Sequence, residues 1–184
     1  MKKWLFIFTA LILAGVTSSS LVVHAESPFV VPSTKKLRID FFSVPEWIEV
    51  NRIEGLPEQL LLKLVDQKGN ETPIASFSQD GPASPELVSI FKNKVNSHEI
   101  LFVILKWHYY LSGVNTEGYY YEVHAYQAQR NKGRQEQLSE NRQISELFGS
   151  GFDGKQEGKE VHFRFKDAPS VRRALPLIRG KNSK

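Results

Sequence analysis

Residues 100–126 read ILFVILKWHYYLSGVNTEGYYYEVHAY, and no other stretch constrains the fold as much. Two runs of β-branched and aromatic residues flank a short segment that holds Gly113 and Gly118. Such runs favour a pleated, extended backbone, and a glycine-containing break between them signals a hairpin. All six tyrosines of the chain lie between Tyr109 and Tyr126. Strand side chains alternate between faces, so Leu101, Val103, Leu105, Trp107 and Tyr109 share one side of the first strand. Tyr119, Tyr121, Val123 and Ala125 share one side of the second, and these two sides are the expected core face.

Directly opposed residues of an antiparallel pair point to the same face. A register whose paired numbers sum to an even value therefore keeps both apolar sides together. An odd sum would set Glu122 and His124 beside Leu105 and Trp107, at a cost of ~1–3 kcal/mol for each polar group buried unpaired. The expectation is the even register, with His108 opposite Glu122 and Lys106 opposite His124. It gathers Lys106, His108, Tyr110, Tyr120, Glu122, His124 and Tyr126 on one outer face, with Asn115 in the connecting loop. These eight residues are the candidate partner-binding set, since a few aromatic anchors usually dominate an interface. The competing reading is a face covered by a helix, because tyrosine is also simply a good strand former.

The start of the chain carries an address. Lys2 and Lys3 precede an almost wholly apolar run from Trp4 to Val16, and Val23-His24-Ala25 follows. That is the layout of a cleaved secretory signal, too short to span a bilayer comfortably, which needs ~20 apolar residues; a retained N-terminal membrane anchor is the competing reading. Cleavage is expected after Ala25, so residues 1–25 form the signal and residues 26–184 one exported domain. Lys2 and Lys3 supply two of the four net positive charges, so the remainder is close to neutral and has no pull toward nucleic acid. The chain has no cysteine. It therefore uses no disulfide and carries no lipid-modified N-terminus. A bacterial periplasmic protein is the expected class, with release from the cell as the alternative and no stable membrane insertion after cleavage.

The remaining pattern reads as strands, a helix, strands and short helices. Residues 37–42, 47–53, 60–65 and 73–77 are expected strands, with Asp66-Gln67-Lys68-Gly69-Asn70 as a turn between the last two. Ser84 and Pro85 look like a helix start, and Leu87, Ile90, Phe91 and Val95 follow at helical spacing. Ile144, Leu147 and Phe148 suit a short helix ending at Gly149. Residues 149–158 hold four glycines and read as a loop. Residues 160–166 alternate as a strand, and a closing helix stops at Pro176. The expected fold is α+β: a mainly antiparallel sheet with two or three short helices in a single domain, ending in a basic tail that includes Arg172, Arg173, Arg179, Lys181 and Lys184.

Catalytic and metal patterns are weak. His98-Glu99 would need a second histidine at 102, where Phe102 stands, so HExxH is absent. Phe148 and Phe152 occupy the glycine positions that a GxSxG elbow around Ser150 requires. Thiol catalysis is excluded by composition, and the glycine-rich stretch lacks the ending of a phosphate loop. His108, Glu122 and His124 would meet in the even register, without a diagnostic ligand spacing. No cofactor and no metal are expected.

Residues 101–126, with W…G.NT.G.YYEV.AY, and the later GFDGKQEGKEVHFRFKDAPSVRRAL, with DGK…GK.V.F, resemble small exported bacterial proteins of the immunity type. The resemblance covers about the C-terminal half and carries no catalytic or binding motif. It implies a soluble periplasmic binding module that neutralises another protein, a toxin or an envelope-active enzyme. The alternative is a periplasmic hydrolase or envelope-modifying enzyme.

Overall fold

Both faces of one central strand are buried, and the rest of the architecture follows from that. The computed structural model describes residues 35–39, 46–55, 57–129 and 137–179. The expected signal, the entry segment before residue 35 and the last residues of the basic tail lie outside them. Strands β1 (Lys35–Ile39), β2 (Glu46–Ile53), β3 (Gln59–Val65) and β4 (Glu71–Ser78) form an antiparallel sheet in that order. Asp66 closes the β3–β4 turn: its carboxylate accepts from the Lys68 and Asn70 backbone N–H groups, each at 2.8 Å.

A second antiparallel sheet contains β5 (Pro85–Val95), β6 (His98–Leu111), β7 (Thr116–Gln129), β8 (Gln137–Glu140), β9 (Ser150–Gln156) and β10 (Lys159–Val161). Its order is β10-β9-β7-β6-β5, and β8 pairs with the far half of β7. Helices α1 (Arg142–Phe148) and α2 (Ala168–Arg179) complete the chain. The fold is α+β, mainly antiparallel and a single domain, but with two sheets rather than one.

Two cores result. Ile48, Val50, Leu60, Leu62 and Leu64 of the smaller sheet pack on Leu101, Val103, Leu105 and Trp107 of the larger. On the other side, Ile100, Phe102 and Ile104 pack with Phe148 of α1 and with Val171, Ala174 and Leu175 of α2. All six residues from Ile100 to Leu105 are at most 1 % exposed. A strand buried on both faces reads as a continuous apolar run rather than an alternating one, and ILFVIL is such a run.

The helix expected over residues 84–95 is strand β5. Its pairing with β6 slips between Leu87 and Ser89, which leaves Val88 as a bulge. The bulge puts Leu87 and Ile90 into one core and Val88 and Phe91 into the other. Apolar residues three apart thus mimic helical spacing on a bulged strand. The supposed cap is engaged elsewhere, since Ser84 Oγ donates to Glu58 at 2.6 Å. Asn96 and Ser97 both take positive φ (47° and 68°), the requirement of a two-residue hairpin turn.

Residues 149–158, expected as a loop, are largely strand β9. Here the glycines mark close approach. A Cβ on Gly151 would lie 2.6 Å from the Phe163 ring, and one on Gly118 would lie 2.5 Å from the Asp153 carbonyl. Of residues 160–166 only the first two belong to β10. Phe163 and Phe165 still alternate inward with exposed His162 and Arg164, but without a ladder. Helix α1 ends at Gly149 as expected. Pro176 lies inside α2 and does not end it.

Candidate functional site

The β6–β7 register is odd. Trp107 pairs with Tyr120, Leu105 with Glu122 and Val103 with His124. The even register fails because its premise, one solvated face on β6, fails. Ile100, Phe102 and Ile104 need an apolar partner face as much as Leu101, Val103 and Leu105 do, and Val123 and Ala125 supply it.

The predicted partner face is therefore divided between the two sides of the sheet. Lys106, His108 and Tyr110 lie on the helix side, beyond the part that the helices cover. Lys106 Nζ sits 3.2 Å from Glu86 and 4.3 Å from the centre of the Tyr119 ring. His108 is exposed and lies 4.8 Å from the same ring, so it does not meet Glu122 and His124. Tyr120, Glu122, His124 and Tyr126 lie on the side that faces the smaller sheet. Tyr126 is only 3 % exposed and belongs to the core. Asn115 sits at the hairpin tip in the left-handed conformation, with φ 49°.

The polar groups on the inner side are paired rather than orphaned. His124 Nε2 is 2.9 Å from Glu122 and Nδ1 is 3.1 Å from Glu140, with the Phe77 ring 4.9 Å away. Ser145 Oγ donates to Glu140 at 3.1 Å and accepts from the Ala125 N–H at 2.9 Å. Strand β9 leaves β7 after Glu122, and β8 joins it at Tyr126. The start of α1 and the turn after it fill the gap, where the Gly149 carbonyl accepts from the Val123 N–H. Burial opposes the charged form of His124, but the hydrogen bonds and charges of Glu122 and Glu140 outweigh it. Its pKa stands above the ordinary 6.5.

This has a consequence for stability. The folded protein holds the His124 proton more tightly than the unfolded chain does. The associated stabilisation is complete below about pH 6.5 and is lost as pH rises through the raised folded-state value. His124→Gln should flatten that part of a melting-temperature profile against pH. An unchanged slope would show that the imidazole carries none of it.

Next to this cluster, and sharing Glu122, a cleft of about 410 Å³ opens on the larger sheet beside the β4–β5 turn. Trp107, Tyr120 and Phe152 lie in one row across β6, β7 and β9, and Tyr109, Gly118 and Gly154 lie in the next. With no side chains at Gly118 and Gly154, the Phe152 ring lies across β7, its Cε1 only 2.8 Å from where a Gly118 Cβ would stand. Tyr109 Oη donates to Asp80 at 2.5 Å, and Tyr120 Oη to Ser150 at 2.7 Å. Burial, then Asp80, pushes the Tyr109 hydroxyl up, so it stays a neutral donor. Asp80 and Phe152 escape the sequence reading because their segments meet the hairpin only through long-range pairing. The Gly81-Pro82 turn and the glycines of β9 were the available signals.

The hairpin tip is the other distinctive feature. Tyr110, Leu111 and Val114 are three of the four exposed large hydrophobic side chains among the described residues, at 65 %, 39 % and 55 % exposure. A 3-10 turn, Ser112–Val114, shapes the tip. The Asn115 carbonyl accepts from the Gly158 N–H at 2.9 Å and Thr116 Oγ1 from the Glu157 N–H at 2.9 Å. The β9–β10 turn thus braces the tip from the side.

In comparisons with known proteins, no family model, no curated protein and no solved structure matched the chain.

Proposed function

We propose that this chain is an exported protein-binding module of the inhibitor or immunity type, and that the β6–β7 hairpin tip is the element it inserts into its partner. The concentration of Tyr110, Leu111 and Val114 on a braced turn carries this reading. Isolated exposed apolar residues are ordinary, whereas three gathered on one hairpin tip need an explanation. A preorganised tip also loses little entropy when it binds. The partner that fits is a protein with an apolar cavity wide enough for a tyrosine ring. Export rests on the signal layout of residues 1–25, and the bacterial periplasm is the compartment that such a binder would serve.

The alternative, an envelope hydrolase, draws on the groove beside His124. Both imidazole nitrogens there face carboxylates. Ser145 Oγ donates to Glu140, and Ser150 Oγ accepts from Tyr120. Neither hydroxyl is bonded to the imidazole, so the groove has no activated serine.

Tyr110→Ala and Val114→Asp should each weaken partner binding by more than ~1 kcal/mol, as loss of an interface anchor does, with melting temperatures close to that of the parent. Pull-down from envelope extract, quantified against a Lys68→Ala control on the β3–β4 turn, measures this. Equal recovery of the same partner by all three variants would remove the tip from the interface.

A further inference from the structure

The cleft at the foot of the tip has a chemistry of its own. Its walls are the rings of Tyr109, Tyr120 and Phe152, and its polar groups are the carboxylates of Asp80 and Glu122 with the Gln156 amide. No lysine, arginine or histidine belongs to its described lining. Its volume, about 410 Å³, falls in the ~300–1,000 Å³ range of small-molecule sites. Aromatic faces present negative potential to a cation, and two carboxylates strengthen it. Asp80 accepts one hydrogen bond from Tyr109, and Glu122 engages His124 through Oε2. Neither carboxylate has a further side-chain hydrogen-bond partner among the described residues, and Glu122 shares its charge with His124. The rigidity of the site is also accounted for: the close approach of Gly118 and Gly154 seats the Phe152 ring, and Ser150 fixes the Tyr120 hydroxyl.

We propose that this cleft binds a small organic cation, an ammonium head group enclosed by Tyr109, Tyr120 and Phe152 and neutralised by Asp80 and Glu122. The cleft shares Leu111 with the tip, but the proposed cation contacts lie on Tyr109, Tyr120, Phe152, Asp80 and Glu122, so the two readings can fail separately. Anions and neutral ligands of the same shape lack the attraction. The volume suits a free small molecule rather than a folded partner.

Choline and its uncharged carbon isostere, 3,3-dimethyl-1-butanol, provide the test, titrated into the full chain and followed by shifts of the aromatic NMR signals. Choline should bind about tenfold more tightly than the isostere, the effect of a partly desolvated cation–π contact. Glu122→Gln and Phe152→Leu should each reduce choline binding severalfold. If Glu122→Gln fails to fold, Asp80→Asn, at the exposed rim, should give the same loss. Val114→Asp should leave choline binding unchanged, which separates this site from the tip. Equal binding of choline and the isostere, or no binding of either, would overturn the proposal. Binding of Nα-acetyl-lysine amide without binding of choline would also overturn it, and would identify a protein side chain as the occupant.

Discussion

Trp107→Ala should cost about 3–5 kcal/mol of unfolding free energy, the range for large aromatic truncations in a core. Trp107 is 6 % exposed and lies in the core between the two sheets. Its Nε1 donates to the Ser78 carbonyl at 3.1 Å, so it also ties the larger sheet to the edge strand β4. Truncation removes the apolar contacts and that tie together. The neighbouring His108 points the other way and is exposed; His108→Ala should cost less than about 1 kcal/mol, as exposed substitutions usually do. Chemical denaturation of both variants decides the matter. Equal losses would mean that the strand faces are misassigned.

Phe102→Ala should be as damaging, again about 3–5 kcal/mol, but through the opposite face. Phe102 is fully buried. Its ring stacks on Phe91 at 5.3 Å and meets Phe148 edge-on at 5.6 Å. It therefore joins β5, β6 and α1 into one core. Trp107 and Phe102 belong to separate clusters, so their effects should add. The double variant would then lose about 6–10 kcal/mol, comparable with the ~5–15 kcal/mol that holds a typical domain together, and should fail to fold. A Phe102→Ala variant of near-parental stability would show that the helices do not seal that face.

The strands of the smaller sheet and the β6–β7 hairpin were legible because their signals are local: apolar runs, the Asp66 turn, the glycines of the tip. Helix α1 was legible through Ile144, Phe148 and the terminating Gly149. What misled was periodicity that tertiary structure had altered. Val88 bulges, so β5 shows helix-like spacing. Gly151 and Gly154 sit where a ring or a neighbouring strand crosses, so β9 looks like a loop. The register inverted because alternation alone cannot reveal that β6 is buried on both faces; the unbroken ILFVIL run was the sign. For the candidate site, Tyr110 and Asn115 could be read locally as parts of the tip. His124 and Glu122 were correctly associated with each other, yet not with Lys106 or His108. The cleft was not legible, because Asp80 and Phe152 approach Tyr109 and Tyr120 only after both sheets have formed.

The central claim, that the braced tip enters a partner protein, is tested most directly by site-specific photo-crosslinking in cells that export the protein. A photoreactive residue at Val114 should give one discrete adduct with a second protein, and the same group at Lys68, on the exposed β3–β4 turn, should give none. An adduct at Lys68 alone, or no adduct at Val114 while the protein is folded and exported, would contradict the account.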